Sequence, residues 1–216
     1  MTKWMKISAL ALVLALMFAL TACAGAPSGS SSPSQTEQQT TAADTKQQDT
    51  TAGEQTTTTG GKTLVVFFSA TGTTKGVAEQ IAAVTNADTY EILAAQPYTE
   101  ADLNWNDQNS RTTLEQNDKS VRPAIGSDDV KLDSYSTVFI GYPIWWGEEP
   151  RIMDTFVESH DFNGKTVVPF CTSGGSGIGS SGSNLAANAG SGNWLEGERL
   201  SSSSDIAGWI SGLQLS

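Results

Sequence analysis

From Lys62 onward the chain alternates between two hydrophobic rhythms. "KTLVVFFSA", Lys62 to Ala70, is a continuous apolar run rich in β-branched and aromatic residues, the pattern of a strand covered on both faces. "TTKGVAEQIAAVT" follows with Val77, Ile81 and Val84 at helical spacing. "DTYEILAA" reads as a second, weaker strand, "STVFIGYP" as a third and "KTVVPFCTS" as a fourth. Between the third and fourth, "PRIMDTFVES" puts Ile152, Phe156 and Val157 on one helical face, with Pro150 at the first position. "SSGSNLAANAG" predicts a short helix and "WLEGERLS" a fifth strand at an edge. "SDIAGWISGL" predicts a last helix capped by Ser204 or Asp205. The polar stretch from Gln96 to Ser134 interrupts this order, with one helix expected over Ser110 to Asn117. Alternating strands and helices predict an α/β domain, a parallel sheet with helices on both faces.

In such a sheet, ligands sit beyond the carboxyl ends of the strands where the strand order reverses. Three loops are then expected to converge: "SATGTTK", "YPIWWGEEP" and "CTSGGSGIGSSG". The first is small and hydroxylated, lies between a buried strand and a helix, and contains Gly72. Its backbone N–H groups, the helix N-terminus and the hydroxyls of Ser69, Thr71, Thr73 and Thr74 suit a terminal phosphate held by neutral donors. A hydroxyl-rich helix cap is the structural alternative. The order GxxxxGK[ST] of a Walker A loop is absent. "GIGSSG", Gly177 to Gly182, formally matches GxGxxG. It follows the fourth strand instead of the first and lacks the acidic residue a dinucleotide site needs, so it reads as a loop that lets backbone approach a flat ligand.

The second loop carries Trp145 and Trp146 side by side. Neighbouring residues of an extended segment point to opposite sides, so one wall of core does not readily take both rings. Glu148 and Glu149 follow at once. They place negative charge near any ligand there, or they favour the N-terminus of the helix beginning at Pro150. Arg111 and Glu115, four apart, read as a surface helix pair.

Composition divides the rest of the chain. Lys3 and Lys6 precede an apolar run from Ile7 to Leu20 that fits a signal-peptide core and is short for a membrane span. It ends in Leu20-Thr21-Ala22-Cys23, which resembles the lipobox of bacterial lipoproteins and implies lipidation at Cys23 and an extracytoplasmic, membrane-anchored protein. Residues 24–61 contain no Leu, Ile, Val, Phe, Tyr or Trp and read as a flexible Ser/Thr/Gln-rich tether. The expected organisation is a signal peptide over 1–23, a tether over 24–61 and one folded domain over 62–216. With Cys23 lipidated, Cys171 is left alone in "VVPFC", the setting of a small core residue, and no disulfide framework exists. Nine basic residues against nineteen acidic ones in the folded part disfavour nucleic acid as a partner. A single histidine, His160, and no Cys/His cluster argue against a metal site.

"SATGTT" resembles the phosphate loop of flavodoxins, [ST]-x-T-G-x-T. "GYPIWWGEEP", "FNGKTVVPFCTSGGSGIGSS" and the upstream "NWNDQNSRTTLEQNDKSVRP" resemble the flavodoxin-like proteins often anchored to bacterial membranes. The resemblance covers Thr63 to Ser183 well and the last thirty residues loosely. It implies a doubly wound five-stranded parallel sheet of order 2-1-3-4-5 and bound FMN. The phosphate would lie on Ser69, Thr71, Gly72, Thr73 and Thr74. The isoalloxazine would lie between Pro143, Ile144, Trp145, Trp146 and Gly147 on one side and Thr172, Ser173, Gly174, Gly175 and Gly177 on the other. Either tryptophan can be the one that faces the ring while its neighbour packs inward. The implied function is an FMN-dependent redox protein, a carrier or an oxidoreductase with a separate redox partner. The competing reading is a tethered binding protein that captures a ligand without turnover.

Overall fold

The computed structural model describes residues 61–215. Cys23, the lipobox and nearly all of the tether lie outside them.

β1 (Lys62–Phe68), α1 (Thr73–Thr85) and β2 (Asp88–Ile92) form the first unit, joined through the irregular stretch with α2 (Arg111–Asn117) to β3 (Tyr135–Pro143). α3 (Arg151–Glu158), β4 (Thr166–Thr172), α4 (Ser181–Ala189), two short strands β5 (Asn193–Trp194) and β6 (Glu198–Arg199), and α5 (Ile206–Gly212) follow. The strands pair in parallel in the order β2-β1-β3-β4-β5, with β6 also on β4. This is the doubly wound order that the resemblance implied, with β6 as an added short strand.

The continuous apolar runs are explained by what lies on either face. Leu64, Val66 and Phe68 of β1 join Ile152, Met153, Phe156 and Leu185 in one core, beneath α3 and α4. Val65 and Phe67 turn the other way and pack with Val77, Ile81 and Ile206 beneath α1 and α5. All seven residues of β4 are buried. Cys171 is among them, and burial pushes its thiol up to about 12.

The expected fifth strand is instead two fragments, and Pro169 accounts for the break. The N–H groups of Leu195 and Leu200 bond the carbonyls of Val167 and Cys171, each at 2.8 Å. Residues 167, 169 and 171 therefore turn their polar groups toward this edge, where Pro169 offers no N–H. The edge chain bulges at Leu195 to Gly197. A Cβ on Gly197 would stand 2.6 Å from the Pro169 carbonyl oxygen. β2 ends at Ile92, three residues before the apolar run does. Ala94 then pairs antiparallel with Ile125 of the long crossover. Pro150 caps α3 from outside with extended backbone (ψ 139°), one position before the first helical residue. Asp205 is the cap of α5, its carboxylate accepting from Gly208 N–H at 2.9 Å.

Candidate functional site

The carboxyl ends of β1, β3 and β4 bring the three loops together. After β1, Gly72 sits in the left-handed region (φ 85°) and turns the chain into α1. Gly72, at the N-cap, brings no side chain to this helix end, and the first turn holds no acidic residue. The first intrahelical bond runs from Gly76 N–H to the Gly72 carbonyl, so the N–H groups of Thr73 and Thr74 precede the helical ladder. Lys75 N–H is taken by the Ser69 hydroxyl at 3.2 Å, and the hydroxyls of Thr71 and Thr73 lie 3.3 Å apart. The Lys75 ammonium turns to Glu91 at 2.8 Å. What remains at the turn is a neutral cradle of hydroxyls at the positive end of a helix, which can hold an anion. Thr74 is the exception. Its hydroxyl is buried and bonded to that of Thr172 at 2.8 Å.

After β3 the chain makes a tight hairpin. Trp145 and Glu148 exchange both backbone hydrogen bonds, each at 3.0 Å. Trp146 (φ 53°) and Gly147 (φ 84°) are its two central residues, both left-handed, as a type I′ turn requires. The turn separates the two rings. Trp145 packs edge-on against Phe68 and Tyr98, with centroids 5.5 and 5.1 Å away. Trp146 is half exposed. After β4, the Ser173 hydroxyl donates to the Ser176 carbonyl and accepts from Gly175 N–H, which folds the glycine loop on itself. Tyr142, buried, shares a hydrogen bond with the Ser181 hydroxyl at 3.0 Å and ties α4 to β3.

These loops enclose a cavity of about 770 Å³. Thr71, Ile144, Trp145, Trp146 and Gly147 line one part of it, and Ser173, Gly174 and Gly175 another. Pro143, Thr172 and Gly177 are adjacent but do not face it. Ser69 lines a smaller neighbouring cavity, beside Phe68 and Tyr98. The main cavity has four further walls: Leu103, Trp105, Thr112 and Ser176. Trp105 is 69% exposed. Its signals in the sequence are an aromatic residue in a largely polar stretch and its place in "NWNDQNSRTTLEQNDKSVRP".

Charges near the site are compensated. Glu148 accepts from Lys119 at 2.8 Å and from Arg151 at 2.5 Å, and these partners hold its carboxyl below the usual range. Glu149 is buried, with Arg151 at 3.6 Å and the Asn184 amide at 3.2 Å; desolvation raises it to about 7. Neither glutamate faces the cavity, so the expectation that they bring bare negative charge to it gives way to an internal ion cluster. Arg111 also stays outside. It pairs with Glu115 at 2.6 Å and lies 3.9 Å from the Tyr98 ring centroid, bracing the residue that supports Trp145. Arg122 grips Glu158 through two bonds of 2.8 and 2.6 Å. His160 stacks on Phe156 and bonds its carbonyl at the end of α3.

The flavodoxin family profile matches residues 62–213. A candidate flavoprotein from Bacteroides eggerthii is 48% identical, covering 72% of this chain and 99% of its own, with a TM-score of 0.68. One from Bacteroides uniformis is 47% identical over 70% and 99%, with a TM-score of 0.67. A flavoprotein from Lactobacillus acidophilus, solved in complex with FMN, is 23% identical over 64% and 93%, with a TM-score of 0.53, and shares the fold. None of the curated proteins matches the chain. With the profile spanning the whole domain, the strand order and the three loops in place, the chain belongs to the flavodoxin family.

Proposed function

We propose that the domain binds FMN and works as a redox protein, an electron carrier or an FMN-dependent oxidoreductase. The observation that carries this reading is the N-terminus of α1, where the Thr73 and Thr74 N–H groups precede the helical ladder among neutral hydroxyls, set beside a cavity that presents Trp146. The residues suit the cofactor. At Gly72, Gly147, Gly174, Gly175 and Gly177, chain neighbours aside, no atom of the described residues lies within 4 Å of where a Cβ would stand, so the backbone there is open to a ligand. Ser69, Thr71 and Thr73, with the N–H groups of Thr73 and Thr74, are the donors for the phosphate. Trp146 offers a flat apolar face for the ring; stacked aromatic pairs gain about 0.5–1.5 kcal/mol beyond area burial. Bound FMN supplies the electron-accepting chemistry, and the protein orients the ring and sets its exposure to water.

The test is direct. The purified full-length protein should be yellow, release FMN on denaturation and bleach with dithionite. A colourless protein that takes up no added FMN overturns the reading. Reduction by NADH or NADPH then separates a reductase from a carrier.

We further infer attachment to the outer face of the cytoplasmic membrane through a lipid on Cys23, supported by "LTAC" directly after the apolar run. Cys23→Ala should release the protein or leave it unprocessed. A variant that stays membrane-bound at its mature mass refutes the anchor.

A further inference from the structure

The turn that carries Trp146 is gripped by one side chain from another part of the chain. Gln116, buried on α2, donates its amide to the carbonyls of Trp145 and Glu149, each at 3.0 Å. These carbonyls stand on either side of Trp146, Gly147 and Glu148. Only a neutral amide nitrogen brings two donors to such a pair without burying a charge, and asparagine is one carbon shorter. Gln116 is fixed in turn. Its backbone carbonyl accepts from Arg151 at 3.4 Å, and Arg151 is buried against Glu148 and Asp154. With both amide hydrogens aimed at the turn, its Oε1 is buried without a partner among the described residues. The orientation is held at the expense of that oxygen, which marks the two bonds as the ones that matter.

The turn needs such a grip. Trp146 has φ 53°, a conformation a bulky residue keeps only where its surroundings over-determine it. One helical turn before Gln116, Thr112 lines the cavity. The same short helix therefore contacts the ligand space and holds the turn beside it.

We propose that Gln116 is a positioning residue for the cofactor site: through the carbonyls of Trp145 and Glu149 it holds the hairpin so that Trp146 presents its ring to the cavity. The proposal rests on the FMN reading for its ligand, but not for the grip itself.

The experiment compares full-length wild type with Gln116→Met, Trp146→Gly and the double variant. Two quantities are read: affinity for FMN and for riboflavin, and hydrogen exchange at the Trp145 and Glu148 amides in flavin-free protein. Gln116→Met should weaken both flavins by the same factor, about tenfold, and speed exchange at both amides comparably. On the Trp146→Gly background it should cost no further affinity, because the ring it positions is gone and glycine keeps the turn unaided. Losses that multiply, a loss confined to FMN, or unchanged exchange would overturn the proposal. Gln116→Glu adds a check that is independent of packing. It offers a donor to the turn only when protonated, so its exchange and affinity should approach wild type, compared at equal pH, as pH falls; no recovery counts against the grip. If wild type binds no flavin, the FMN reading fails and the exchange data alone decide the grip.

Discussion

The hydroxyls of Thr74 and Thr172, 98 positions apart, lie 2.8 Å from each other in the interior. Thr74 belongs to the first turn of α1 and Thr172 is the last residue of β4. The Thr172 carbonyl also accepts from Ile144 N–H at 2.9 Å. One threonine thus fastens the loops after β1, β3 and β4 at the point where their carboxyl ends meet.

Either Thr74→Val or Thr172→Val leaves a buried hydroxyl without its partner, at about 1–3 kcal/mol. The double variant removes both groups and keeps the shape, so it should cost less than the two losses together. Urea denaturation of the four proteins measures the coupling. Strictly additive losses would mean that the bond contributes nothing.

Gly72 tests the phosphate cradle. A Cβ there stands clear of the described residues beyond its chain neighbours, so the chief obstacle is its φ of 85°. Holding an L-residue in that region costs about 1–2 kcal/mol. Gly72→Val should turn the N–H groups of Thr73 and Thr74 away and weaken FMN about ten- to a hundredfold. Riboflavin, which has no phosphate, should be nearly unaffected. Equal losses for both flavins would place the phosphate elsewhere.

Trp146→Gly should separate stability from binding. The substitution relieves about 1–2 kcal/mol of backbone strain and adds about 0.5–1 kcal/mol of chain entropy. Flavin-free protein should melt at the same temperature or a few degrees higher, while flavin affinity falls. A variant that melts lower and binds flavin normally would contradict the placement of the ring.

The parts of this fold that could be read from sequence are those in which local pattern and tertiary role coincide. The runs at Leu64–Phe68, Val138–Tyr142 and Thr166–Thr172 are apolar on both faces because helices cover both, and that marked the strands and the loops after them. The two halves of the fifth strand were not legible. The break depends on which side of β4 Pro169 turns its missing N–H. Leu103, Trp105, Thr112 and Gln116 lie in a polar crossover whose path is set by contacts with distant elements, such as Gln116 with Trp145, 29 residues on. The compensation of Glu148 by Lys119 across 29 residues is hidden for the same reason. Trp145 and Trp146 were ambiguous because only the left-handed turn decides which ring faces out.

The ion cluster behind the hairpin predicts an unusual pH dependence. Glu149 and Asp154 are buried beside Arg151, which also serves Glu148. Glu148 has Lys119 as well, but the guanidinium shared among the three leaves Glu149 and Asp154 undercompensated in the interior, and burial raises both. Glu149 moves from its ordinary 4.5 to about 7. Between these values the folded protein keeps a proton that the unfolded chain has released. Stability therefore falls as pH rises from about 4.5 to 7 and stays low above it. At 1.36 kcal/mol per unit the fall attributable to Glu149 is about 3 kcal/mol, and Asp154 acts in the same direction. Glu148, held low by Lys119 and Arg151, acts oppositely, with its stabilisation lost as pH drops below the ordinary carboxylate range. The wild-type protein should thus be most stable near pH 4.5, where the two opposing trends meet. Glu149→Gln keeps the buried site neutral at every pH and should remove most of the decline between pH 5 and 8. Urea unfolding across that range measures it, and a decline as steep as that of wild type would show that Glu149 is not the group that titrates.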